Sequence, residues 1–203
     1  METTEKITCY LGATIINPHV QKRVQRYSDH ARARLGFDTV VLPPELHITI
    51  LPPFITTYES ASHLNLACAC ATTITNHPLV SSRLSIQKLA TMKWDNETIL
   101  HFPVNFFHGL HPEYVFADYV KALRLKIIDS GEFVWKEAIP ETFHPHLTVL
   151  EVERTRYADR LEKLVQQSNK DLPLHFSVGY PTIYAKYKTG GWYPLSQDPN
   201  NDK

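Results

Sequence analysis

The sequence predicts an α+β fold, with helices packed outside antiparallel sheets. Three observations lead there. Strand-like segments outnumber helix-like ones, in the order strand, helix, strand, helix, strand, strand, helix, strand, helix, strand, strand. Several strands follow one another directly, as hairpins do, which argues against a doubly wound parallel sheet. The triplet His-x-Thr stands on a strand in each half of the chain, at His47-Ile48-Thr49 and His146-Leu147-Thr148, which points to two related lobes.

The opening strand, Ile7 to Ile16, is rich in β-branched residues; alternation puts Thr8, Tyr10, Gly12 and Thr14 on one face. Asn17-Pro18 starts a helix, with Asn as N-cap and Pro in the first turn, and Gly36 stops it. Leu46 to Leu51 is the second strand: Leu46, Ile48 and Ile50 form its apolar face, His47 and Thr49 the other, and Pro52-Pro53 is expected to end it. Ser60 to about Asn76 reads as a helix. Arg83 to Trp94 and Thr98 to Val104 read as a hairpin, and residues 112–130 as a helix. In the second half, Pro145 to Val149 is a strand with His146 and Thr148 on one face. Tyr157 to Gln167 is an amphipathic helix, and Phe176 to Lys188 and Trp192 to Leu195 close the chain as strands. Residues 1–196 read as one domain and 197–203 as a polar tail.

The chain has 203 residues, 43% of them apolar and 21% charged, with Lys plus Arg equal to Asp plus Glu. That balance lacks the basic excess of a protein that grips long nucleic acid, and it leaves small phosphate-bearing ligands open. The eleven histidines favour acid–base chemistry. Three cysteines, Cys9, Cys68 and Cys70, suit a reducing compartment and read as buried thiols rather than a shared metal site. No apolar run approaches a membrane span and the first residues lack a signal core, so the expectation is a cytoplasmic monomer without membrane contact.

A His and a Thr two apart on a strand point the same way, about 6–7 Å apart. The imidazole moves a proton near neutral pH, and the hydroxyl donates to a phosphate oxygen. Two opposed pairs supply a base, an acid and two donors for in-line displacement at phosphorus, without a metal or other cofactor. His-x-Ser/Thr is a weak signal alone: about one is expected by chance in this composition, and the chain has three, the third at His175. Strand context and opposed aliphatic faces favour the first two; Leu172-Pro173-Leu174 before His175 favours a structural reading.

Leu46 to Leu51 and Phe143 to Val149, with the closing Thr182-Ile183-Tyr184 and Gly190 to Leu195, resemble the 2H phosphoesterases. That resemblance implies a bilobal fold, two antiparallel sheets around a central cleft, with His47, Thr49, His146 and Thr148 catalytic. It implies a phosphodiesterase acting on 2′,3′-cyclic phosphates or 2′-5′ linkages in small nucleotides or short RNA ends. A cyclic-dinucleotide or 2′-5′-oligoadenylate hydrolase, and a non-catalytic nucleotide-binding module, are the alternatives.

Around that core, Tyr10 is a candidate to line the cleft and stack on a base. Tyr184 and Lys186 share a face of their strand and are candidate substrate contacts. His144 and His146 form His-x-His, yet Pro145 intervenes and no third metal ligand stands at a recognisable spacing. Phe54 and Trp192 read as core or lid residues, and Arg124 and Lys126 as partners of a helix C-terminus.

Overall fold

The structure, a computed structural model, describes residues 5–35, 40–41, 46–72, 84–94, 97–106, 120–127, 129, 132–136, 144–153, 160–161, 163–166, 172–186 and 192–195. Its elements in order are β1 (Lys6–Ile15), α1 (Pro18–Leu35), β2 (Val40–Val41), β3 (His47–Thr57), α2 (Tyr58–Thr72), β4 (Leu84–Ile86), β5 (Ala90–Trp94), β6 (Glu97–Phe106), β7 (Val134–Trp135), β8 (His146–Glu153), β9 (Leu174–Phe176), β10 (Val178–Lys186) and β11 (Trp192–Pro194). Residues 120–127 and 163–166 are also helical, within the two later helices that the sequence predicts. The class is α+β, and every pairing among the described strands is antiparallel.

The strands run β11-β10-β1-β3-β8-β6-β4-β9, with β2 on β8, β5 on β6 and β7 on β3. Where two separate sheets were expected, the halves are joined edge to edge at β3 and β8 through Ile48 and Leu147. β9 and β10 lie toward opposite ends of this path, yet only Ser177 separates them in the chain. One residue spans under about 4 Å, so the path curls until its ends approach.

One row of residues crosses the middle of the path: Pro181, Ala13, Ile48, Leu147 and Phe102, each in register with the next. The last four are fully buried. Burying an Ile, Leu or Phe contributes about 1.5–3 kcal/mol each, so the middle residues of both His-x-Thr triplets are fixed in the core. α1 covers this face. Its buried residues Val20, Val24, Ser28, Ala31 and Leu35 recur every three or four positions, and Tyr27 meets Phe102 edge-on at 5.3 Å. Asn17 caps α1 as the sequence predicts, its Oδ1 accepting from the His19 and Val20 amides at 3.0 and 3.4 Å.

Several boundaries differ from the sequence reading, and four of them have a clear cause in the pairing or capping. β3 does not stop at Pro52-Pro53. Cys9 pairs with Phe54 and Leu11 with Leu51, so Tyr10 alone opposes both prolines, and the bulge removes the need for their missing amides. α2 starts two residues early because Thr57 caps it, its Oγ1 accepting from the Ser60 amide at 3.1 Å; the expected end near Asn76 lies outside the described residues. The predicted strand 83–94 is two strands: β5 forms the hairpin with β6, while β4 pairs with the far end of β6 and with β9. The predicted strand from Phe176 breaks at Ser177 because β9 serves β4 and β10 serves β1. Among the described residues no helix is long and apolar enough to cross a membrane. Cys9 and Cys68 are buried free thiols, pushed by burial up to about 12 and about 11.

Candidate active site

The pairing of Ile48 with Leu147 sets the site. Both side chains enter the core, so His47, Thr49, His146 and Thr148 project from the opposite face, where all four are half-buried. Because β3 and β8 are antiparallel, His47 lies on the Thr148 side and Thr49 on the His146 side. The two histidines then occupy diagonal positions, which on neighbouring strands are about 7–8 Å apart.

The strands outside this pair complete the row. β1 places Thr14 beside His47 and Gly12 beside Thr49. β6 places Pro103 beside His146 and His101 beside Thr148. Each triplet is followed at once by a bulge: Ile50 is the extra residue of β3 against β1, and Val149 the extra residue of β8 against β6. The carbonyl of each bulged residue accepts from a helical side chain. Arg124 donates to Ile50 through Nε at 3.3 Å and Nη2 at 3.1 Å, and buried Ser28 donates to Val149 at 3.1 Å. Arg124 was read as a partner of its own helix end; it instead ties that helix to β3 next to Thr49. Backbone carbonyls turned out of a ladder need such partners.

The two imidazoles have different surroundings. His47 stacks on Tyr10, centroids 4.8 Å apart and planes 24° apart, with Tyr184 at 5.9 Å. Gly12 makes room for this ring: a Cβ there would stand 2.9 Å from His47 Cδ2. His146 is held by hydrogen bonding, its Nδ1–H donating to the His144 carbonyl at 2.9 Å. A carbonyl only accepts, so the neutral ring carries its proton on Nδ1 and leaves Nε2 as an acceptor. Burial holds the His146 imidazole below the ordinary histidine value; the His144 carbonyl opposes that shift and the His144 ring adds to it. His101 meets His146 edge-on, centroids 5.5 Å apart and planes 77° apart. Burial pushes His101 down to about 4, with His146 acting in the same direction. The Ile99 backbone opposes that shift without meeting Nδ1 in hydrogen-bonding geometry.

The remaining candidates fall as follows. Tyr10 and Tyr184 are on the site face as expected but buried, at 5% and 1% exposure. They stack on each other at 4.9 Å and 7°, so they form a floor beneath His47 rather than an open platform. Lys186 is exposed, its Nζ 5.8 Å above the Trp192 ring, whose edge also meets Tyr10. Phe54 is core, packed edge-on by Phe133 and Trp135. His175 is opposite Ser85 on β9, three strands from β8. His144 is exposed and approaches His146 through its carbonyl. Among the described residues no cluster of three His, Cys, Asp or Glu side chains could hold a metal. Sequence reasoning missed Gly12 and His101 as site residues. A glycine inside a strand signals a close approach, whereas His101 gives no local signal, since only the β6–β8 register brings it to His146.

This is an α+β fold of antiparallel strands whose two halves each present a His and a Thr at the line where they meet. No family model and no curated protein matches the chain. Among solved structures it is similar to the crystal structure of E. coli LigT complexed with 3′-AMP. The TM-score is 0.51 at 15% identity, covering 94% of this chain and 95% of that one. LigT in apo form gives a TM-score of 0.50 at the same identity and coverage. At that identity the likeness is one of fold.

Proposed function

We propose that the chain is a 2H-type phosphodiesterase, bilobal about the β3–β8 line, that hydrolyses a ribose-linked phosphodiester by two-histidine acid–base catalysis. The single observation that carries this reading is the antiparallel pairing of Ile48 with Leu147, which gathers His47, Thr49, His146 and Thr148 on one face. The fold likeness to LigT, a 2H phosphoesterase seen with 3′-AMP, supports the same class of chemistry and a small nucleotide as ligand.

The unlike surroundings of the imidazoles divide the roles. His146, kept neutral by burial with Nε2 free to accept, takes a proton from the attacking water. His47, stacked on Tyr10, acts as the acid and gives its proton to the leaving ribose oxygen. A water oxygen–phosphorus bond forms, the ester bond breaks, and the two histidines end with exchanged protonation. Thr49 and Thr148 donate to the non-bridging oxygens, where charge builds in the transition state. The substrates that suit this arrangement are 2′,3′-cyclic phosphates and 2′-5′ linkages in small nucleotides or RNA ends. Tyr10 and Tyr184 act from beneath His47, and exposed Lys186 contacts a substrate phosphate.

The test is a panel of 2′,3′-cyclic nucleotides, 2′-5′ and 3′-5′ dinucleotides and mixed-linkage cyclic dinucleotides, with the products identified. Cleavage of one class, abolished in His47→Ala and His146→Ala, is the expected result. Tight binding of these ligands without turnover would replace the reading with that of a binding module.

A further inference from the structure

We propose that His101 is a positioning residue for His146, a ring that holds the second imidazole in the orientation its proton transfer needs. The inference rests on the proposed reaction for the role of His146, and on the following geometry for the role of His101.

His101 is in β6, in register with Thr148, on the same face as the four His-x-Thr side chains. It is 9% exposed, and its ring meets that of His146 edge-on at 5.5 Å. A buried imidazole whose Nδ1 meets no hydrogen-bond partner in normal geometry among the described residues carries a desolvation cost that a phenylalanine at the same place would avoid. Such a group calls for an explanation in the site. The local two-fold relation of the paired strands supplies one. Gly12 stands to Thr49 as His101 stands to Thr148. On the first side the empty glycine position lets His47 lie back against Tyr10. On the second side, among the described residues, the ring that meets His146 is His101, which fills that place. His146 is thus gripped at Nδ1 by the His144 carbonyl and on its ring by His101.

The two rings also constrain each other's protons. The register partner of His101 on β5 is Ala90, which carries no charge; among the described residues the titratable group facing it is His146. Burial keeps His101 neutral through the neutral pH range, so of these two rings only His146 takes up the proton from the attacking water.

The experiment is NMR of histidine-15N-labelled protein beside steady-state kinetics, on wild type, His101→Gln and His101→Phe. The neutral His146 of the wild type is expected to carry its proton on Nδ1, and His101→Phe, which keeps a ring, to preserve this. In His101→Gln the two tautomers should average, and kcat should fall about tenfold to a hundredfold while KM changes less than about twofold. In His146→Gln the His101 titration should move up from about 4. A His101→Gln protein with an unchanged His146 tautomer and unchanged kcat would overturn the positioning role, as would equal losses in the Gln and Phe variants. Absence of turnover by wild type on every substrate would instead overturn the phosphodiesterase reading, since the tautomer measurement needs no turnover.

Discussion

Replacing Gly12 with alanine probes the site at its tightest point. The new methyl would stand 2.9 Å from His47 Cδ2, 3.2 Å from His47 Cγ and 3.1 Å from Tyr10 Cε2. Carbon atoms rest at about 3.5–4.0 Å, so the imidazole or the strand must retreat by roughly 0.5–1 Å. The ring has little room to do so, because Tyr10 and Tyr184 lie against it and are themselves buried. Overpacking of this kind costs about 1–3 kcal/mol, and a catalytic group displaced by about 1 Å loses up to about a hundredfold in rate. Gly12→Ala should therefore lower kcat/KM by about tenfold to a hundredfold, and Tm by roughly 2–10 °C. Gly179→Ala is the control. Its methyl would meet Ile16 Cγ2 at 3.0 Å and Thr14 Oγ1 at 3.4 Å, similar crowding without contact with either proposed catalytic ring. It should cost stability and spare turnover. The measurement is kcat/KM on the substrate found by the panel, with thermal melts of both variants. Full activity in Gly12→Ala would mean that the stacked position of His47 is not the one used in catalysis, and the assignment of His47 would lose its geometric basis.

Other outcomes follow from the same geometry. His47→Ala and His146→Ala should each lower kcat by about 10²–10⁴-fold with little change in Tm, whereas His175→Ala, on the outer strand β9, should be nearly silent; equal losses at His146 and His175 would point to the wrong triplet. The folded pKa of His101 is about 4 against 6.5 unfolded. The unfolded chain therefore binds more protons in that interval, and stability should fall as pH drops from about 6.5 to about 4. Melts of wild type against His101→Phe at about pH 7 and about pH 5 read this directly, the variant being the less pH-sensitive. On the same sign, the acid limb of kcat/KM should lie below the ordinary histidine value, because burial holds His146 neutral. Asn17→Ala removes both cap hydrogen bonds of α1 and should cost about 1 kcal/mol, read as a Tm loss of about 2–4 °C.

The parts of this fold legible in sequence are those that local physics decides. Alternation assigns His47 and Thr49, and His146 and Thr148, to one face because Ile48 and Leu147 must be buried, and both are. The cap at Asn17 depends on four consecutive positions, 17–20, and is found as read. What escaped depends on partners distant in sequence. Two prolines end an isolated strand, yet β3 continues through Pro52 and Pro53 because β1 supplies a single residue, Tyr10, opposite them. Alternation puts Tyr10 on the face of the two triplets as a candidate base platform; its burial is set by Tyr184, His47 and Trp192, which alternation within β1 cannot report.

The same distinction explains why two similar triplets need not do the same job. An antiparallel pair relates its strands by a local two-fold axis, so His47-Ile48-Thr49 and His146-Leu147-Thr148 are interchangeable as far as backbone geometry goes. Each is followed by a bulge, and each bulged carbonyl is held by a helical side chain, Arg124 or Ser28. A symmetric frame suits in-line displacement, which needs a group on either side of phosphorus, but acid and base must differ in protonation at one pH. The difference enters where the two-fold relation fails: Gly12 against His101, and the Tyr10 face against the His144 carbonyl. In the proposed reaction the two imidazoles take their roles from their surroundings, which come from β1 and β6 and from the residue two before His146, not from the triplets themselves. Exchanging the neighbours should therefore disturb the division of roles more than exchanging the triplets would.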